Sequence, residues 1–141
     1  MAKTNNFHHR DLKRALYEAA LQLLDTGGAS AVTIRAVARE TGVSHAAPVN
    51  HYKDRTALLT AIARHQFEEI YADIQKRFEA PDLSPAERIE VVANALLDYG
   101  LEYPNRYQLL WRPDLIDYKN PQIAALTDSI YDRLCDEIAT A

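Results

Sequence analysis

The sequence predicts an all-α fold, and three observations support this prediction. Apolar residues recur at helical spacing in every long segment. No run alternates apolar and polar residues for long enough to indicate a convincing strand. Residues that start or end helices separate the segments, and the clearest are Gly28, Gly42, Ser84, Pro104 and Pro121.

The first two helices are short and close together in the chain. Leucines and alanines from Leu12 to Leu24 recur at i, i+3, i+4 and i+7, which predicts one amphipathic helix ended by Gly27-Gly28. Thr33 is a suitable N-cap for a second helix that places Val37 inward and stops at Gly42.

The remaining helices follow signals of the same kind. Asp54 is expected to cap a long helix that runs to about residue 79. Ser84, Pro85 and Glu87 predict a capping box with the proline at the first helical position. A short helical piece, NRYQLLWR, follows Pro104, and Asn120-Pro121 begins the last helix.

Composition limits the possible settings of the chain. Its single cysteine, Cys135, excludes an internal disulfide and indicates a reducing compartment such as the cytosol. There is no apolar run of about 18 residues to span a membrane. The N-terminal residues also lack the apolar region of a secretory signal.

Charge is distributed unevenly along the chain. Residues 1–56 carry eight Lys/Arg against five Asp/Glu, a net charge of +3, and residues 57–141 carry eight against fifteen, a net charge of −7. A basic N-terminal domain over 1–56 and an acidic domain over 57–141 are therefore predicted. Ordinary variation in surface charge is the alternative explanation.

Residues 33–52, TIRAVARETGVSHAAPVNHY, have the pattern of a helix-turn-helix motif. Gly42 supplies a turn with positive φ, and Ser44 is expected to cap the second helix. Pro48 then falls at the third or fourth helical position, where it removes at most one hydrogen bond. The alternative is a helical hairpin that only builds core.

The order of the segments resembles the TetR (tetracycline-repressor) family of bacterial regulators. The resemblance covers ALQLLDTGGASAVTIRAVARETGVSHAAPVNHYKDRTALLTAI, residues 20–62. It implies an all-helical homodimer with a DNA-binding N-terminal domain and a C-terminal domain for effector binding and dimerisation. The implied function is a repressor that binds a palindromic operator, is released by a small-molecule effector, and uses no cofactor.

The same resemblance implies which residues meet DNA. It places a recognition helix from about Ser44 to Asn50. The family pattern has leucine and then a phosphate-contacting tyrosine where this chain has Pro48 and Val49, although some relatives carry SHAAPY. The implied DNA-binding residues are Thr33, Ser44, His45, Ala47, Val49, His51, Tyr52, Lys53 and Arg55.

Aromatic residues of the second domain are candidates for an effector pocket. Aromatic side chains with polar tips suit a site for an apolar or aromatic molecule, and core packing is the alternative explanation. The candidates are Phe78, Tyr99, Tyr103, Tyr107 and Trp111. No metal site is expected, because no pair among His8, His9, His45 and His51 has helical i, i+4 spacing. His8 and His9 are instead expected to form a solvated arm near DNA.

Three alternatives to a complete regulator can be compared with the sequence. An enzyme is not expected, since no nucleophile, phosphate-loop or metal-ligand motif occurs. A helical ligand-binding protein without DNA binding is the second alternative. Family members usually run longer and end in two dimerising helices. The third alternative is therefore a truncated partner protein that heterodimerises with a full-length regulator.

Overall fold

The computed structural model describes residues 9–140, and in this range it contains helices and no strands. The prediction of an all-α fold is confirmed. The arm containing His8 lies outside the described residues. No helix between residues 9 and 140 is both long enough and apolar enough to cross a membrane. The helices are α1 (His9–Gly27), α2 (Ile34–Thr41), α3 (Arg55–Arg77), α4 (Pro85–Glu102), α5 (Pro104–Leu110) and α6 (Pro121–Thr140).

The predicted helix starts are confirmed by capping hydrogen bonds. The Thr33 hydroxyl oxygen accepts from the Ala36 N–H at 3.0 Å, and an Asp54 carboxylate oxygen accepts from the Ala57 N–H at 2.8 Å. Ser84 and Glu87 form the reciprocal capping box at the start of α4. Each cap satisfies N–H groups that the first turn of a helix leaves without backbone partners.

Helix α3 is the centre of the molecule. It contacts α1, α4, α5 and α6, so apolar side chains are buried on several of its faces. Its buried residues include Leu58, Ile62, Phe67 and Ile70, together with the polar side chain of Gln66. Because this one continuous helix packs against both α1 and α6, it connects the two predicted domains.

We call residues 9–56 the head and residues 57–140 the body. In the head, α1 packs on α2, and Leu16, Leu24 and Val37 are fully buried between them and α3. A 3₁₀ helix, Ala29–Ala31, links α1 to α2. The division into domains at residue 56 remains a prediction, because helix α3 runs across it.

Candidate nucleic-acid interface

The turn that follows α2 is a Schellman motif. Gly42 has φ of +70° and donates its N–H to the Arg39 carbonyl at 3.2 Å, while Val43 donates to the Ala38 carbonyl at 3.1 Å. Glycine adopts this left-handed conformation without steric cost. The chain therefore leaves α2 in one defined direction, as predicted from Gly42.

Residues 44–52 are a run of tight turns that includes the 3₁₀ helix Pro48–Asn50, so the prediction of an α-helix from Ser44 to Asn50 is wrong. Proline has no N–H, so Pro48 cannot bond to the Ser44 carbonyl, which accepts from the Ala47 N–H at 3.1 Å instead. No side chain caps this 3₁₀ helix, and the predicted capping role of Ser44 is not observed.

The same segment presents one polar face outward. Ser44, His45 and Asn50 are exposed, and Val49 is 50% exposed. Pro48 is buried and holds the middle of the segment against the head. The exposed face is therefore positioned by packing from behind. Of the remaining candidates in this segment, Ala47 and His51 are half-buried.

Tyr52 ends the segment as a buried anchor. Its ring is 6% exposed, and its hydroxyl lies 3.5 Å from the Lys13 carbonyl oxygen of α1. Burial raises the pKa of this hydroxyl above its ordinary value, so it is neutral at physiological pH. The next residue, Lys53, is exposed. Tyr52 is thus buried and uncharged, whereas the charged side chain of Lys53 lies on the surface.

Arg55 has an internal role that the sequence did not indicate. Its Nε donates to the Val32 carbonyl oxygen and its Nη2 to the Ala29 carbonyl oxygen, both at 2.7 Å. The half-buried side chain thus connects the start of α3 to the 3₁₀ helix before α2. Any contact of Arg55 with DNA remains a prediction.

The structure adds two basic candidates that the sequence reading omitted. Arg35 and Arg39 are one helical turn apart on α2, and both side chains are exposed. They lie opposite the buried Val37–Ala38 face. The amphipathic pattern of α2 was the available signal, because it already placed these arginines outside.

Several of these residues are candidates for contact with a DNA duplex. The Thr33 hydroxyl is exposed at the start of α2, and its oxygen is held by the cap. Side chains such as Ser44 and His45 can donate to phosphates or base edges, and Arg35 and Lys53 add positive charge. We call this set, Thr33, Arg35, residues 44–50 and Lys53, the DNA face.

Comparison with known proteins assigns this arrangement to a family. Residues 16–62, which include α2, the turn and the start of α3, match the family model described as "Bacterial regulatory proteins, tetR family". Residues 16–62 therefore carry a helix-turn-helix region similar to that of the TetR family. The resemblance carried by residues 20–62 is thereby confirmed.

Similar proteins extend the similarity beyond the head. The chain is 26% identical over 140 residues to the HTH-type transcriptional regulator BetI of Burkholderia thailandensis, covering 94% of this chain and 70% of that protein. It is 29% identical over 90 residues to BetI of Paraburkholderia phymatum, covering 63% of this chain and 46% of that protein. The chain thus spans only part of each relative.

A solved structure agrees with the fold of this chain. A protein of unknown function from Rhodococcus sp. RHA1 superposes with a TM-score of 0.77 at 27% identity. The match covers 96% of this chain and 70% of that one. The arrangement of head and body therefore recurs in an experimentally determined structure.

The five aromatic residues predicted to bind an effector lie in three groups. The Phe78 ring lies beneath the Arg133 guanidinium, with 4.5 Å from the ring centroid to Cζ. Tyr107 and Trp111 pair on α5 with centroids 5.8 Å apart, and Trp111 is 54% exposed. The role of these five residues in effector binding remains a prediction.

Tyr99 and Tyr103 form the third group and line a cleft between α3 and α4. The cleft has a volume of about 250 Å³, and the two ring centroids are 5.3 Å apart. Four carboxylates and one guanidinium, from Glu69, Asp73, Asp98, Glu102 and Arg77, share its walls. We call it the tyrosine cleft. Among residues 9–140, no group of acidic, histidine or cysteine side chains is arranged to hold a metal ion.

Proposed function

We propose that this chain is a TetR-family, sequence-specific regulator of transcription that binds a palindromic operator as a homodimer and is released by a small-molecule effector. The observation that carries the proposal is the DNA face. There, the exposed turn from Ser44 to Asn50 lies between a glycine-capped helix and the buried anchor Tyr52. Basic side chains at Arg35 and Lys53 lie on either side of it in sequence.

The dimer supplies the second half of operator recognition. Two heads must lie about 34–36 Å apart to enter successive major grooves, so a symmetric site favours a symmetric protein. We assign residues 1–56 to DNA binding and residues 57–141 to effector binding and dimerisation. The contacts of α3 with both parts support a mechanism in which a tilt of the body changes the spacing of the heads.

The tyrosine cleft is the candidate effector site. The two neighbouring aromatic rings of Tyr99 and Tyr103, tilted by 49° to each other, and an excess of carboxylates favour a positively charged organic ligand. The guanidinium of Arg77 is engaged by Asp73 at 2.9 Å and Asp98 at 2.8 Å. Glu69 and Glu102 therefore supply the negative charge available to such a ligand.

Selection of bound sequences from random duplex DNA tests the function directly. The expected result is a two-fold symmetric site, with half-sites spaced by about one helical turn. Size-exclusion chromatography with and without that DNA then gives the stoichiometry, which is expected to be one dimer per site. A chain that stays monomeric and selects no sequence at low salt contradicts the proposal and favours a partner protein.

A further inference from the structure

A salt bridge joins the body to the end of helix α1. Arg106 of α5 donates from Nε to Asp25 Oδ1 and from Nη2 to Asp25 Oδ2, both at 2.7 Å. Asn105 adds a bond from Nδ2 to the Asp25 backbone carbonyl oxygen at 2.9 Å. The Arg106 side chain is 13% exposed. A bidentate pair with a largely buried guanidinium restricts the relative position of the two helices.

The same guanidinium touches the wall of the tyrosine cleft. Arg106 Cζ lies 4.2 Å from the centroid of the Tyr103 ring, within the range of a cation–π contact. The Tyr103 ring therefore has the cleft and the Arg106 guanidinium as neighbours. A movement of the ring would displace the group that holds Asp25.

A second polar connection runs from the cleft to α1 through α3. The Tyr99 hydroxyl donates to Gln66 Oε1, and Gln66 Nε2 donates to the Tyr17 hydroxyl oxygen at 3.1 Å. Gln66 is 0% exposed, so its amide has no water to replace a lost partner. Burial is the main reason that the pKa of Tyr17 rises to about 12 and that the pKa of Tyr99 is also raised. Both hydroxyls thus keep their protons at neutral pH.

We propose that Arg106 and Gln66 are positioning residues that couple the tyrosine cleft to the DNA face through helix α1. Each tyrosine of the cleft is connected to α1 through one intervening side chain. Tyr103 contacts Arg106, which binds Asp25 of α1. Tyr99 bonds to Gln66, which bonds to Tyr17 of α1. Buried polar contacts of this kind favour discrete arrangements over gradual ones, since a half-broken set leaves unpaired groups. This inference rests on the proposed function and specifies how the head is held.

Arg106→Gln and Asp25→Asn test the first connection. Each variant removes the ion pair that connects α1 to α5 and is expected to lower the fraction of heads in the binding arrangement. Operator affinity, measured with the DNA selected by the wild type and corrected for the folded fraction, is expected to fall about tenfold. The salt dependence of binding should stay unchanged, because no phosphate contact is lost.

The chain provides a matched control and a rescue. Arg112→Gln breaks a bidentate pair with Asp114, at 2.8 and 2.6 Å, that lies wholly within the body, and it should leave operator affinity unchanged. The exchange Asp25→Arg with Arg106→Asp restores the pair with reversed charges and should recover most of the affinity. Loss of stability at equal affinity per folded molecule in the single variants would overturn the proposal.

A double-mutant cycle tests the link to the cleft. Tyr103→Leu removes the ring beneath Arg106, and its effect on operator affinity is measured in the wild type and in Asp25→Asn. If Tyr103 and Asp25 are coupled, the change in operator affinity caused by Tyr103→Leu should differ by about threefold or more between the wild type and Asp25→Asn. Equal changes in the two proteins would contradict the coupling. If the wild-type chain itself binds no DNA, the proposed function fails, and that result is separate from a failed cycle.

Discussion

The guanidinium of Arg55 is bonded to the backbone carbonyl oxygen of Val32, 2.7 Å from Nε. These residues are 23 positions apart, at the start of α3 and just before α2. Because Thr33 and the DNA face follow directly, this bond helps to orient the helix that supports the recognition turn. A side chain that resembles a phosphate contact in sequence is thus part of the scaffold of the head.

Removal of this guanidinium is expected to destabilise the head. Arg55→Gln cannot serve the carbonyls of both Ala29 and Val32, and each charged hydrogen bond contributes about 1.5 to 3 kcal/mol. A decrease of about 2 kcal/mol in the free energy of unfolding is expected from chemical denaturation. Arg39→Gln, on the exposed face of α2, is the control and should have little effect on stability. Equal stabilities of the two variants would show that the Arg55 bonds contribute nothing.

Gly42 is required for its backbone conformation and not for space. Its φ is +70°, and an added Cβ would meet no atom within 4 Å. Gly42→Ala is therefore expected to cost about 1 kcal/mol of unfolding free energy through left-handed strain alone. Gly42→Asn should cost less, because asparagine adopts this conformation more readily. Thermal denaturation of the two variants measures the difference, and the reverse order would contradict this explanation.

Val49 stands where the family pattern has a phosphate-contacting tyrosine, and its side chain is 50% exposed. Val49→Tyr should tighten operator binding by about 1 to 3 kcal/mol per head, the contribution of a hydrogen bond to a charged group. Val49→Phe adds the ring without the hydroxyl and is the matched control. Affinities measured by fluorescence anisotropy should increase only for tyrosine. No change in either variant would place residue 49 away from the DNA.

Lys53 is expected to neutralise a DNA phosphate. Loss of one such contact reduces the slope of log K against log salt by about 0.9, or about 1.8 for the two heads of a dimer. Lys53→Ala should show this change together with weaker binding to all sequences. Lys76→Ala removes an exposed lysine near the far end of α3, the helix that follows Lys53, and should leave the slope unaltered.

His65 makes the stability of the fold sensitive to mild acid. Burial, followed by the charge of Arg64, lowers the pKa of His65 below its ordinary 6.5. The unfolded chain therefore binds more protons than the folded one below that pH, and stability declines as the pH falls through about 6.5. Denaturation at about pH 7.5 and 5.5 should show a smaller loss for His65→Gln than for the wild type. An equal loss in both proteins would rule out His65 as the cause.

Local sequence patterns were sufficient to predict the all-α class, the start of each capped helix and the glycine turn after α2. These features depend on hydrogen bonds between residues three to five positions apart, as at Thr33 and Gly42. Much of the DNA face could be predicted for the same reason. The exposure of Arg35 on this face, and of its neighbour Arg39, could also be predicted, because the helical period places both arginines on the outside of α2.

Contacts between side chains that are far apart in sequence depend on tertiary packing. Burial of Tyr52, the bonds of Arg55 to carbonyls more than twenty residues away, and the separation of Phe78 from the tyrosine cleft all depend on how helices pack. The pair between Asp25 and Arg106 spans 81 positions. Local sequence signals carry no information at that range, since the contact exists only after α1 and α5 have packed together.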